Sequence, residues 1–199
     1  FVQEHVVCHS VRDSALFLDV VDAPTPGEPY AAPHKARPWL EELEQPVGRL
    51  KIAFTTDTLF AGTTHPDCQR AVDETVSLLR ELGHEVTPAK PPFPTEDLVL
   101  AYFRIVAAGV AQMVRETSAG AGKKPSAADY EPATWLLAMI GMRTSAADLI
   151  ESQWAIQRAA REVAAFFEAH DVFVTSTLAR PPARVGELLP TTAEGLQMS

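Results

Sequence analysis

Between Leu50 and Thr87 the chain changes its apolar period twice, and that change constrains the fold more than any other feature. Leu50-Lys-Ile-Ala-Phe-Thr-Thr56 alternates and is rich in strand-forming residues, which marks a strand. Pro66 then stands where proline suits the first turn of a helix. Ala71, Val72, Thr75, Val76, Leu79 and Leu82 recur as a stripe at helical spacing, as on the buried face of an amphipathic helix. Gly83 is placed to stop it, and Glu85-Val86-Thr87 reads as a second short strand. Strand, helix and strand in that order form a βαβ unit, with a parallel pair and a right-handed crossover.

The remaining elements follow from similar signals. Ser10-Val-Arg-Asp13 has the form of a capping box and predicts a helix over 11–22, with Leu16, Phe17, Val20 and Val21 at helical spacing. Residues 24–38 hold five prolines and predict an irregular loop. A short helix is expected at 39–44, closed by Pro46 and Gly48. Thr95 is expected to cap a helix over 95–116, with Glu96 and Asp97 in its dipole-favoured first turn. That helix is apolar on most sides and should be largely buried. Residues 118–129 read as a flexible surface loop. Pro132 opens a helix through Trp135, Leu136, Leu137, Met139 and Ile140. Ser145-Ala-Ala-Asp148 is a second capping box, starting the longest helix, to about residue 169. Asp171-Val-Phe-Val-Thr-Ser-Thr177 predicts a buried strand. Residues 50–56, 84–88 and 171–177 should join one mostly parallel sheet, with helices 66–82 and 145–169 packed on it. The expected class is α/β, a mixed, mostly parallel sheet with helices on both faces.

Composition narrows the function. A formal net charge of −9 over 199 residues, with Lys123-Lys124 as the densest basic pair, argues against a nucleic-acid partner. No uninterrupted apolar run reaches the ~18 residues that span a bilayer, so no membrane partner is expected. Cys8 and Cys68 are the two cysteines. They are too few for a disulfide-stapled scaffold or a Cys-only zinc site, and read as reduced thiols in a cytoplasmic protein. Both ends of the chain read as cuts in a longer one: Phe1 and Val2 open it with the look of an interior, and a polar tail follows Pro190.

Chemistry-bearing motifs are sparse. Histidines at 5, 9, 34, 65, 84 and 170 include no His-Glu-x-x-His pattern and read as surface or capping residues. Gly120-Ala-Gly122-Lys123 lacks both the Ser/Thr and the preceding strand of a phosphate loop. Gly-x-Ser-x-Gly is absent. Cys68 stands near a helix start, where the dipole favours a thiolate, with His65 three residues before it, but a structural role suits this pair better. Glu41, Glu42 and Glu44 form a solvated acidic face. No active site, metal site or cofactor site is complete within these residues.

Taken in order, however, the segments resemble the amidase signature family. His9-Ser-Val-Arg-Asp-Ser-Ala-Leu-Phe-Leu-Asp19 resembles its R-S-V-R-D-A-A-L-L-L-D helix. Thr25-Pro-Gly-Glu-Pro-Tyr30 resembles its P-x-P-G-D-P-Y loop, and Pro46-Val-Gly-Arg-Leu-Lys-Ile-Ala-Phe54 its P-G-R-L-R-I-A-F strand. Leu78-Leu-Arg-Glu-Leu-Gly-His-Glu-Val86 is similar to its L-L-E-x-L-G-H-E-V turn from helix to strand. Glu131-Pro-Ala-Thr-Trp135, and Phe166-Phe-Glu-Ala-His-Asp171 followed by Thr175-Ser-Thr177, resemble the region before the family's last third. The branch with the strongest likeness holds 6-aminohexanoate-cyclic-dimer hydrolases and other bacterial amidases.

The resemblance implies hydrolysis of a carboxamide C–N bond by a Ser–cis-Ser–Lys triad, with backbone N–H groups of a Gly/Ser-rich loop as oxyanion hole. It implies no cofactor. That loop does not occur here, and in the family it precedes the point where this chain begins. The family's later T-G-x-P-A strand is missing as well. Residues 1–199 are thus expected to be a partial amidase domain, inactive alone. Its expected partners are a small-molecule amide, the remaining part of an amidase chain, and a second copy in a homodimer formed through uncovered apolar surface. No catalytic residue carries over: Lys51, Lys90, Lys123 and Lys124 do not match the family lysine. Two departures stand out, Cys8-His9-Ser10 for Thr-Arg-Ser and Thr175-Ser176-Thr177 for Thr-Pro-Thr. Within the chain Trp135 is the candidate substrate-binding residue, set against a plain core role. A non-catalytic binding paralogue and a functionless fragment are the rival readings.

Overall fold

The computed structural model describes residues 5–27, 34–59, 62–92 and 94–188. Val2, the middle of the proline-rich loop and the tail after Pro190 lie outside them. The chain divides into two compact units, Phe1–Gly48 and Arg49–Ser199.

The first unit holds α1 (Val11–Val21) and α2 (Trp39–Glu42). Ser10 caps α1 by accepting the Asp13 N–H at 3.1 Å. The four-residue α2 has Pro38 at its N-cap and no side-chain cap of its own. Its free N–H groups are met from α1 instead. The two carboxylate oxygens of Asp19 accept from the Trp39 and Leu40 N–H groups at 2.7 and 2.9 Å. Asp22 accepts the Trp39 indole N–H at 2.8 Å. Lys35 lies 3.1 Å from Asp19 and 3.3 Å from Asp22. These contacts hold both carboxyls below the ordinary aspartate range: Asp19 chiefly through the Leu40 N–H, Asp22 chiefly through the Trp39 indole.

The second unit contains β1 (Lys51–Phe54), α3 (Pro66–Glu81), β2 (Glu85–Pro88), α4 (Thr95–Gly120), a 3-10 turn at Ala127–Asp129, α5 (Pro132–Arg143), α6 (Ala146–Phe166) and β3 (Val172–Val174). The strands form one parallel sheet in the order β2-β1-β3, with Ile52 opposite both Val86 and Val172. The expected βαβ unit is present, and Gly83 follows α3 with φ +89°. Successive side chains of a strand face opposite sides. Ile52, Phe54, Val86 and Val174 share the face that packs on Val72, Val76 and Leu79 of α3. Phe173 has the opposite parity and meets Phe166 of α6 edge-on at 5.9 Å. Helices thus serve both faces, as the α/β expectation requires.

Several boundaries differ from the sequence reading: β1 spans Lys51–Phe54 rather than 50–56, and α2 Trp39–Glu42 rather than 39–44. The run 171–177 is a strand only over Val172–Val174, and these residues are half-buried or exposed rather than buried. The ladder ends where Thr55 donates to the Val174 carbonyl at 3.1 Å, after which the two chains part. Thr95 does not cap α4: Pro94 is the N-cap, and the Thr95 hydroxyl donates to the Leu59 carbonyl at 3.4 Å. Residues 118–120 belong to α4 rather than to a loop, because Ser118 is buried and bonded to the Tyr130 hydroxyl at 2.9 Å. Finally, α6 stops at Phe166, three residues early. Its start is as expected, since Ser145 and Asp148 exchange both bonds of the capping box.

The expectation that α4 is largely buried is also corrected. Its buried positions are mostly small: Ala101, Ala107, Ala111, Val114 and Ser118. They face α5 and α6, which also bury small residues, Ala138 and Gly141 on one and Ser152, Ala155 and Ala159 on the other. Leu100, Tyr102 and Phe103 remain more than half exposed. By length and composition alone α4 could cross a membrane, although charges interrupt its apolar run.

Candidate functional site

Trp135 sits in the first turn of α5, half-buried. Its ring stacks on Tyr130, with centroids 6.2 Å apart and planes 16° from parallel. The Tyr130 hydroxyl donates to the Val114 carbonyl at 3.1 Å. Its single proton is thereby used, so Ser118 is the donor in the 2.9 Å contact between the two hydroxyls. Trp135 is therefore held on a tyrosine that is itself anchored to the last turns of α4.

A second group lies at the carboxyl ends of β1 and β3. Past Thr55 the two chains diverge and leave a crevice of about 160 Å³, lined by Asp57, Thr58, Thr175, Ser176 and Thr177, with Leu59 and Ala179. Thr55 shapes one wall by accepting the Asp57 N–H at 3.2 Å. The other wall is fixed by the His65 N–H, which donates to the Ala179 carbonyl at 2.7 Å. Across the 175–178 segment lies a wider groove of about 590 Å³, bounded on the far side by Cys68, Ala71 and Thr75 of α3 and by Pro181-Pro182. Arg180, also on this groove, is paired with Glu187. The Arg184 N–H, at 2.8 Å, and Arg180 together hold the Glu187 carboxyl below its ordinary range.

A third group joins α4 to α6. Arg104 lies 3.0 Å from Glu151 and 3.5 Å from Asp148. Asp148 is held below the usual aspartate range, chiefly by the Ser145 hydroxyl of its capping box and less by Arg104. A cleft of about 190 Å³ runs past Arg104 and Arg158.

The other candidates have structural partners. His65 caps α3 by accepting the Asp67 N–H at 3.1 Å. His84 accepts the Leu50 N–H at 3.2 Å, and His170 stacks on Phe166 at 4.3 Å. His5 and Ser14 lie 2.6 Å apart, but the contact is exposed and no carboxylate orients the ring, so it lacks the third member of a triad. Cys8 and Cys68 are free thiols. Among the described residues no three His, Cys, Asp or Glu side chains gather as a metal site, and none of the serines is bonded to a lysine.

Sequence reading missed the crevice. The sequence marks Thr175-Ser176-Thr177 as the end of a strand and as a departure from a family pattern, and nothing local joins it to Asp57. Only the pairing of β3 with β1 does so.

Comparison with known proteins finds relatives along nearly the whole chain. The 6-aminohexanoate-cyclic-dimer hydrolase of Pseudomonas sp. (strain NK87) is 24% identical over 189 residues, which are 94% of this chain and 38% of that protein. The solved structure of a 6-aminohexanoate cyclic dimer hydrolase superposes with a TM-score of 0.81 at 25% identity, over 95% of this chain and 42% of the other. A bacterial aryl acylamidase of the amidase signature enzymes shares the fold, with a TM-score of 0.72 at 16% identity over 96% and 43%. The chain thus spans well under half the length of these relatives. A family model described as Amidase matches residues 1–199 from end to end, and the chain belongs to the amidase family.

Proposed function

We propose that this chain is the C-terminal-side part of an amide hydrolase, acting on a small-molecule carboxamide through a Ser–cis-Ser–Lys triad that lies outside these 199 residues. The supporting observation is the family match over the whole chain against relatives of which it spans only 38%. On this reading the chain supplies scaffold and pocket wall, the remaining part of the amidase supplies nucleophile, base and oxyanion hole, and no cofactor takes part. A cytoplasmic setting suits its two free cysteines, and its net negative charge disfavours nucleic acid.

Trp135 is the proposed wall of the substrate pocket. Its support is the rigid mounting on Tyr130, since a ring fixed by stacking offers apolar surface at little further entropic cost.

The test is an amidase assay on two samples, the purified 199-residue chain and the natural polypeptide from its source gene, with the cyclic dimer of 6-aminohexanoate and simple aryl amides. Turnover by the natural polypeptide and none by the 199 residues is expected. Hydrolysis by the 199 residues that disappears on a Ser→Ala change within them would place the nucleophile here and overturn the reading.

A further inference from the structure

We propose that the crevice at the carboxyl ends of β1 and β3 is a binding site for the N–H-donating end of a ligand, a primary ammonium or a carboxamide. Its position is the first argument. In the order β2-β1-β3 the chain leaves β1 toward β2 on one side and returns with β3 on the other, so β1 and β3 flank the point where the order reverses. In open parallel sheets that is where ligands bind, just outside the strands' carboxyl ends.

The lining is the second argument. Asp57 makes no ion pair, and its carboxylate has no hydrogen-bond partner among the described residues. Thr175, Ser176 and Thr177 line the same crevice, and their hydroxyls have no hydrogen-bond partner among the described residues. A carboxylate and three hydroxyls supply acceptors in excess, which suits a ligand that brings donors. Arg180, the cation that follows this run, is already paired with Glu187, so it does not compete for Asp57.

The amide-hydrolase reading enters only in the choice of ligand: an amide substrate or its amine product carries such an end. The experiment is therefore a binding measurement that needs no catalysis. The 199-residue chain, labelled with nitrogen-15, is titrated with hexylammonium, hexanamide and hexanoate, and the backbone amide shifts are followed. Saturable shifts confined to residues 57–59 and 175–179 are expected with either or both of the first two probes, and none with hexanoate. Ammonium alone would identify an amine end, and hexanamide alone a carboxamide end. Asp57→Asn should weaken hexylammonium about fivefold, near the upper limit for an exposed ion pair, and Ser176→Ala should weaken whichever probe binds. Both positions lie on the crevice surface, and the spectrum of each variant reports whether it folds. No saturable shift from either N–H probe, equal shifts from hexanoate, or unchanged affinity in both variants would overturn the proposal. Amide hydrolysis by the natural polypeptide alongside such a failure would sink this site while leaving the enzymatic reading intact.

Discussion

Gly141 of α5 lies so close to Ala107 of α4 that a β-carbon on it would stand 1.9 Å from the Ala107 carbonyl oxygen. The obstacle is helix backbone, which cannot swing aside as a side chain can. The two helices meet here because both present small residues, Ala107, Ala111 and Ala138 among them. Gly141→Ala is expected to push the helices apart and cost at least the ~1–3 kcal/mol typical of overpacking. It removes a helical glycine, so propensity alone would stabilise the variant by up to about 1 kcal/mol. The sign of the change therefore separates the two effects, and urea unfolding followed by circular dichroism measures it. A variant more stable than the parent would show that the close approach is absent.

Tyr130→Phe tests the mounting of Trp135. The change removes one hydroxyl and leaves the hydroxyl of Ser118, a residue 1% exposed, without its partner, while the Val114 carbonyl loses a second bond but keeps its helical one. A loss of about 1–3 kcal/mol is expected from leaving a buried polar group without its partner. The ring stack itself should persist, since the phenyl group remains. Thermal unfolding gives the stability, and the indole N–H resonance of Trp135 reports on the stack. An unchanged melting temperature would mean that the Ser118 hydroxyl finds another partner.

Acid should release α2 from α1. Asp19 and Asp22 have folded-state pKa values below the ordinary 3.8. Their contribution is present above that value and is lost as pH falls through the lower folded-state values. Lys35 has the opposite sign: its pKa is raised, chiefly by Asp19. Its contribution holds in acid and neutral solution and fades only as pH rises through that raised value. The Trp39 indole N–H resonance should therefore stay constant from neutral pH down to about pH 4 and move below it. In Asp22→Asn that step should shrink, because the side-chain amide still accepts from the indole but no longer titrates there. A step centred above pH 5 would contradict the lowered values.

What the sequence revealed, and what it hid, divides along local and non-local lines. The βαβ unit was legible because Val72, Val76 and Leu79 repeat at one period, Ile52 and Phe54 at another, and Gly83 marks the junction. The Ser145–Asp148 box was legible because capping is decided within four residues. Ser118 was not, since only its bond to Tyr130 shows that the helix continues past Glu116. The shortness of β3 was not, because it depends on where β1 turns away at Thr55. The crevice needed both strands in place before Asp57 and Ser176 could share a wall. Apolar content also misled at α4, where it implied burial. The packing there selects small residues, and the large ones are left outside.

Those outward residues carry the last prediction. Leu100, Tyr102 and Phe103 of α4, Met139, Ile140 and Met142 of α5, and Ile150 and Trp154 of α6 are each exposed by 45% or more. Exposed large apolar side chains gathered on packed helices are a signal of interaction surfaces in soluble proteins. On the amidase reading it is the seat of the rest of the domain. The 199-residue chain alone should therefore associate as its concentration rises and bind a hydrophobic dye, with pairing into a homodimer as the simplest closed form. Phe103→Glu and Ile140→Glu should each suppress association without lowering the melting temperature, because neither position is buried. The natural polypeptide should show neither association through this face nor dye binding. Sedimentation velocity at several concentrations reads the first effect and dye fluorescence the second. A concentration-independent monomer that binds no dye would show that the 199 residues close their own core, and the proposal that further amidase chain covers this face would then fail.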